Sequence, residues 1–330
     1  MNLRIIKSGV LDTVQDMGRY GSRYLGINPG GAMDKYAARI ANSLVMNEPD
    51  AAVIEFHFPA SAVFFEQPAL IAVSGADFSP YVNGEPVPSL QPILLSKYSI
   101  LQFERVIKGA RGYLGIYGGM NIQPWLNSYS ANLKIGIDGY LGKPLQANDE
   151  IGIQTVDAFT ALLNTKEFIV LPWKADASWD NTANEEIKIL PGPEWDRLDR
   201  NSQTKLLNES FTINNQSDRM GYQLSGPPLI QQSNDEMISS AVTFGTVQLL
   251  PDGQLIILMA DHQATGGYPR IANVISAHHS RLAQARPGEK FQFVLSNQQE
   301  AEELFLKQEN HLGHLRNACR FRLEQLLGSF

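Results

Sequence analysis

The densest group of residues able to do chemistry lies in Met259-Ala260-Asp261-His262-Gln263-Ala264-Thr265-Gly266-Gly267-Tyr268-Pro269-Arg270, directly after the apolar run Leu255 to Leu258. A strand that opens into an acid, an imidazole, an amide, a hydroxyl, two glycines and an aromatic ring presents a mix suited to binding and catalysis, on a loop that a rigid scaffold would hold. Asp261 and His262 read as candidate catalytic groups. Gln263, Thr265, Gly266, Gly267 and Tyr268 read as candidate substrate contacts. The alternative is a β-turn in which Asp261 bonds backbone amides.

Two further stretches carry similar groups. Asn215-Gln216-Ser217-Asp218-Arg219-Met220-Gly221-Tyr222 offers a planar guanidinium fork on Arg219 for a carboxylate or carbonyl, with Asp218 beside it to orient it or accept a proton. An Asp-Arg pair at a turn is also a common structural device. Near the N-terminus, Thr13-Val14-Gln15-Asp16-Met17-Gly18-Arg19-Tyr20-Gly21 is followed by Gly26-Ile27-Asn28-Pro29-Gly30-Gly31-Ala32-Met33-Asp34. Its glycines allow close backbone approach, and it ends at a helix N-terminus, whose free N–H groups suit an anion. Gln15, Asp16 and Arg19 are the candidate contacts. The alternative is a tight connection in which Asp34 caps its helix and Asp16 pairs with Arg19.

Other signatures fail. Gly136 to Lys143 does not space its glycines as a phosphate loop does, and Pro144 stands where Ser or Thr is required. His278-His279 and His311-Leu312-Gly313-His314 lack acidic or Cys companions in a metal-site pattern, so no metal is expected. No Gly-x-Ser-x-Gly elbow occurs. The lone Cys319 falls in a helical apolar stripe and reads as a buried structural thiol.

The elements that must position these loops are mostly short strands. Val63-Phe64-Phe65, Ala69 to Val73, Ile93-Leu94-Leu95, Gly112 to Tyr117 and Leu255 to Leu258 are β-type runs bounded by turn residues. Asn83-Gly84 and Asp252-Gly253 are hairpin-turn signals. Ala37, Ile40, Ala41, Leu44 and Val45 follow helical spacing after an Asp34 cap, with Asn47 near the stop. A second helix, from Gln298 to Leu327, carries an uneven stripe of Leu304, Phe305, Leu312, Leu315, Cys319, Phe321 and Leu326, with Gly313 as a weak point.

The chain has 330 residues, 43% of them apolar and 18% charged, which fits two ordinary globular domains. A net charge of −7 without a basic block argues against nucleic acid. No apolar run approaches the ~20 residues of a membrane span, and one cysteine fits a reducing cytoplasm. The weakly patterned stretch Trp173 to Glu186 reads as a linker between domains at 1–172 and 187–330. Asn148 to Ile153 and Gly288 to Phe293 echo one another as turn, acid and strand, and Arg39-Ile40-Ala41-Asn42 echoes Arg270-Ile271-Ala272-Asn273 at an incompatible offset.

The three glycine-rich stretches, in this order, resemble the allophanate-hydrolase subunit 2 family, also called the KipA or biotin-dependent carboxyltransferase-like family. The likeness includes Ser74-Gly75-Ala76-Asp77, Arg111-Gly112-Tyr113-Leu114 with Gly118-Gly119, Leu190-Pro191-Gly192-Pro193, and Arg281-Leu282-Ala283-Gln284 with Arg286-Pro287-Gly288, over residues 5–295. It implies a mainly β fold of tandem cyclophilin-like β-barrel domains, with a few short helices and a C-terminal helix. It also implies a KipI-like protein, the B component of such systems, as partner, with the active site at or near their junction. Three roles are known in the family. The first expectation is the C component of an ATP-dependent 5-oxoprolinase, which opens the lactam of 5-oxoproline to glutamate with ATP used by the complex and a lactam-hydrolase-like A component involved. The alternatives are the carboxyltransferase part of a urea carboxylase and a non-catalytic antagonist of a kinase inhibitor. No Met-Lys-Met motif occurs, so no biotin is expected on this chain.

The chain departs from the family pattern at two places. Leu126-Asn127-Ser128-Tyr129-Ser130-Ala131 stands where Leu-Gly-Ser-Arg-Ser-Thr is common, and His262 and Ala264 replace Arg and Thr in the third stretch. Arg19 and Arg219 are the expected replacements for the lost positive charge. On this reading Asp261→Ala abolishes activity with little loss of stability, and Cys319→Ala leaves activity intact.

Overall fold

A computed structural model describes residues 2–134, 136, 139–154, 156–179, 185–232 and 237–328. Strands predominate, and the chain forms two compact units. Unit 1 comprises Met1–Gly18, Asp34–Trp179 and Glu309–Phe330; unit 2 comprises Arg19–Met33 and Asp180–Gln308. The units therefore do not follow a contiguous division at 1–172 and 187–330. Residues 19–33 and the last part of the C-terminal helix each belong with the other half of the chain. One of the chain's passages between the units is at residues 179–180, and residues 180–184 of the stretch Trp173 to Glu186 lie outside the described residues.

In unit 1 two antiparallel sheets enclose a core. One runs Met120–Asn121, Glu150–Ile153, Asn2–Lys7, Ala62–Phe65, Ser99–Phe103, Pro80–Val82, Glu85–Pro86; the other runs Phe168–Val170, Pro92–Leu95, Ala69–Asp77, Lys108–Ile116, Val53–Phe56, Thr13–Gln15. Alternation does the sorting. Ile54, Phe56, Ile71, Val73 and Leu114 of the second sheet meet Leu3, Ile5, Val63, Phe65 and Leu101 of the first inside a single apolar cluster. Asn83 and Gly84 both adopt positive φ, as expected for a two-residue hairpin.

Unit 2 is a closed barrel ordered Glu186–Pro191, Arg270–Val274, Thr246–Leu249, Leu255–Leu258, Gly221–Ser225, Ser210–Ile213, Lys290–Leu295. Six of its seams are antiparallel; the seam between Glu186–Pro191 and Lys290–Leu295 is parallel and closes the ring. At Asp252-Gly253 only Gly253 takes positive φ, and its N–H bonds Leu250 O at 2.9 Å, because Pro251 starts a longer turn than the two-residue one expected. The echo of Arg39 to Asn42 in Arg270 to Asn273 has no structural counterpart, since the first lies in a helix and the second in a strand.

The helix Lys35–Leu44 starts as expected, with Asp34 Oδ1 accepting Ala37 N–H at 2.9 Å. It packs so closely on Lys108–Ile116 that a Cβ at Gly115 would lie 2.8 Å from the Ala41 carbonyl. The C-terminal helix Gln298–Gly328 continues through Gly313. Its stripe is narrower than the sequence suggested. Leu312, Cys319 and Leu323 join Tyr36, Ile40 and Leu44 in a second core of unit 1, whereas Phe305 and Phe321 are exposed. Burial pushes the Cys319 thiol up to about 11, as befits a packing group.

Candidate functional site

In unit 2 the strand Leu255–Leu258 ends in a tight turn, with His262 N–H bonded to Met259 O at 3.1 Å. Backbone bonds from Met259 N to Met220 O at 2.9 Å and from Asp261 N to Arg219 O at 2.8 Å zip this turn to the second polar stretch. The side chains follow. Arg219 Nε donates to Asp261 Oδ2 at 2.9 Å and Nη2 to Oδ1 at 3.1 Å, while Nη2 also reaches Gly31 O at 2.7 Å. Both partners are largely buried, so the fork holds the turn and the first glycine-rich stretch together through charge-assisted bonds.

Each of the expected catalytic groups has a hydrogen-bond partner close by. Asp261 has both oxygens occupied by Arg219. Asp218, exposed, accepts Met220 N–H at 2.7 Å and Gly221 N–H at 3.2 Å, the local bonding of a turn aspartate. His262 is buried with Nδ1 2.6 Å from Gln263 O. Gln263, Thr265, Gly267 and Tyr268 are exposed. Gly266 is buried because Thr265–Gly266 pairs with Ser240–Ala241 in a two-stranded ribbon, where a Cβ would meet Gln248 Nε2 at 2.5 Å. Gln248 Nε2 also donates to Tyr268 O at 3.2 Å and fixes the far end of the loop.

The first stretch divides. Gln15 is buried in unit 1, with Nε2 donating to Thr13 Oγ1 at 2.9 Å. The carboxylate of Asp16 accepts Gly18 N–H at 2.7 Å, Ser128 Oγ–H at 2.8 Å, Tyr129 N–H at 2.6 Å and the Ser130 hydroxyl. It is thus the clamp of the 126–131 loop, in which Leu126 and Asn127 both have positive φ, the turn Trp125 to Ser128 being closed by reciprocal backbone bonds. Tyr129 rests against the unit 1 core, as an apolar ring would and a guanidinium would not. Arg19 is fully buried, and Arg219, also buried, is held by Asp261.

A second polar chain lies on the outer face of the smaller unit 1 sheet. Tyr113 OH donates to Glu55 Oε2 at 2.8 Å and accepts Asp34 N–H at 2.8 Å, with Glu55 and Tyr113 wholly buried. Burial, then the charges of Glu55 and Asp34, hold the Tyr113 phenol well above its ordinary value, so it remains a hydrogen-bond donor.

Sequence reasoning missed the arginines that brace the exposed loop. Arg270 Nε and Nη2 hold Glu194 at 2.9 and 2.8 Å, and its Nη1 reaches Ala241 O at 3.0 Å. The Arg270 side-chain bond keeps Glu194 below the usual carboxylate range. The signal was present in Leu190-Pro191-Gly192-Pro193: Gly192 lets the Arg270 backbone approach to where a Cβ would sit 2.0 Å from Arg270 O. Arg23, in the short 3-10 helix Arg23–Leu25, donates from Nη2 to Val242 O and to Ala264 O at 3.3 Å.

Comparison with known proteins gives this arrangement a family. The carboxyltransferase domain, subdomain A and B, matches residues 25–295. The chain is 37% identical over 304 residues to the C component of 5-oxoprolinase from Haemophilus influenzae, covering 92% of this chain and 94% of that protein. Identity to the C component of 5-oxoprolinase from Escherichia coli is 36% over 301 residues, covering 91% and 93%. The crystal structure of the Kluyveromyces lactis urea carboxylase superposes with a TM-score of 0.85 at 25% identity, over 95% of this chain and 29% of that one. With most of its length matched, the chain belongs to the family of the carboxyltransferase domain, subdomain A and B.

Proposed function

We propose that this protein is the C component of an ATP-dependent 5-oxoprolinase, acting with a KipI-like B component and a lactam-hydrolase-like A component on a small lactam in the cytoplasm. The observation that carries the reading is the 36–37% identity to two proteins named as the C component of 5-oxoprolinase, over more than nine-tenths of both chains in each pair. Within that reading the exposed amide of Gln263, the hydroxyl of Thr265, the backbone of Gly267 and the ring of Tyr268 contact the substrate, and Asp261 acts through Arg219 to hold the loop. A lactam is a stable amide, and donors aimed at its developing oxyanion stabilise the transition state more than the ground state. ATP is consumed at the level of the complex, and no biotin is carried here. Among the described residues no helix is long and apolar enough to cross a membrane.

The likeness to the Kluyveromyces lactis urea carboxylase over 95% of this chain supports a second reading, carboxyl transfer. Both are tested by reconstitution. The chain, its KipI-like partner and its lactam-hydrolase-like partner are mixed with ATP and 5-oxoproline, and glutamate is measured. Release that requires the chain and its partners is expected. Turnover by the isolated chain sinks the partnership, and carboxylation of urea with a carboxybiotin donor, without lactam opening, selects the second reading.

A further inference from the structure

The loop 263–268 poses a physical problem. It is largely exposed and has two adjacent glycines, and ordering such a segment costs conformational entropy that exposed side chains do not repay. Yet its backbone is fixed from several sides. Thr265–Gly266 pairs with Ser240–Ala241, Val242 N–H reaches Ala264 O at 3.3 Å, and Gln248 bonds Tyr268 O. Three carbonyls of this ribbon accept from guanidinium groups: Val242 and Ala264 from Arg23, and Ala241 from Arg270. Arg270 is itself fixed by Glu194, whereas Arg23 arrives from the distant segment 19–33 and straddles both arms of the ribbon.

We infer that Arg23 is a positioning residue that holds the ribbon of residues 240–242 and 264–266 in one register, so that Gln263, Thr265 and Tyr268 meet the substrate preorganised. This rests on the lactam-opening reading above. Both bonds leave one nitrogen, Nη2, whose two N–H groups are fixed in the guanidinium plane and serve two carbonyls at once. Lysine offers a point charge with a flexible stem, so Arg23→Lys retains the charge and loses the bridging geometry. Arginine contacts of this kind set binding more than chemistry, because an ordered loop removes an entropic penalty on association.

The test uses the reconstituted complex with Arg23→Ala and Arg23→Lys, reading KM and kcat for the lactam alongside amide hydrogen exchange of peptides covering 238–268. The expected result is a rise in KM of about tenfold for Arg23→Ala with a much smaller change in kcat, faster exchange at the ribbon amides, and partial recovery of both in Arg23→Lys. Faster exchange with unchanged KM overturns the inference, as does unchanged exchange. If Arg23→Ala lowers the melting temperature of the whole protein, Arg23→Lys carries the same comparison in a folded background. Absence of lactam turnover by the wild-type complex sinks the activity reading instead, and the positioning claim then stands or falls on the exchange data.

Discussion

Arg219 and Asp261 form a two-bond ion pair, Nε to Oδ2 at 2.9 Å and Nη2 to Oδ1 at 3.1 Å, in which the arginine also grips Gly31 O. The sequence suggested that Asp261→Ala would be silent in stability, and the pair reverses that expectation. Removing the carboxylate leaves a buried guanidinium without its counter-charge, a change that typically destabilises by about 3–5 kcal/mol. Denaturant unfolding should show this loss for Asp261→Ala, and a double variant with Arg219→Met should recover part of it. A loss within about 0.5 kcal/mol of zero, the range of ordinary surface substitutions, would mean that the pair is not coupled to folding.

Glu194 and Arg270 give a pH signature. The folded-state pKa of Glu194 is depressed by Arg270, so its contribution is present above the ordinary carboxylate value of 4.5 and is lost as pH falls through the lowered folded value. Between pH 6 and pH 3, the stability advantage of wild type over Glu194→Gln should therefore shrink. A difference that stays constant across that range contradicts the assignment.

Gly192 marks how close the Arg270 backbone comes. A methyl there would lie 2.0 Å from Arg270 O and 2.8 Å from Ile271 C, both backbone atoms that have nowhere to yield. Gly192→Ala should destabilise by about 1–3 kcal/mol through overpacking. Urea unfolding midpoints of the variant and wild type check it, and equal midpoints would show that the strand pair accommodates the methyl.

Much of the fold was legible because strand alternation and turn chemistry are local. The run Ala69 to Val73, the hairpin at Asn83-Gly84 and the Asp34 cap all follow from residue type within a few positions. What escaped was set by distant partners. Asp16 bonds residues more than 110 positions away, Arg23 reaches carbonyls more than 210 away, and no period or spacing announces either. The polar loop after Leu258 was visible as a cluster of chemistry-bearing residues, but composition alone did not separate Asp261, held by an arginine, from Gln263 and Thr265, which face outward. Phe305 and Phe321 show the same limit on the C-terminal helix: an apolar stripe does not say how much of it a neighbour covers.

Gly313 sits inside the helix Gln298–Gly328, exposed, with open space where a Cβ would go. A glycine in a helix interior is disfavoured relative to alanine by about 0.5–1 kcal/mol through backbone entropy. Gly313→Ala should therefore stabilise by about that amount, read as a higher urea midpoint, with Leu312 and Cys319 still packed. A lower midpoint would mean that the glycine serves a contact the helix makes elsewhere.

Asp12 is the buried carboxylate whose titration should be visible in stability. It is fully buried, with Oδ1 accepting His57 N–H at 2.8 Å and Oδ2 accepting Ser61 N–H at 2.6 Å. Loss of hydration outweighs these bonds, and the charge of Glu55 adds to it, so its pKa rises from 3.8 to about 6. A raised folded value means that between pH 4 and pH 6 the native chain keeps a proton that the unfolded chain has released. Its stabilising contribution is thus complete below 3.8 and is lost as pH rises through 6. Two pKa steps correspond to at most about 3 kcal/mol. Asp12→Asn removes the titration and, by offering one acceptor fewer to two N–H groups, lowers stability at every pH. The stability difference between wild type and Asp12→Asn should therefore be largest near pH 4, fall towards pH 6 and level off above it. A difference independent of pH between 4 and 7 would place the carboxylate's titration outside this window and refute the assignment.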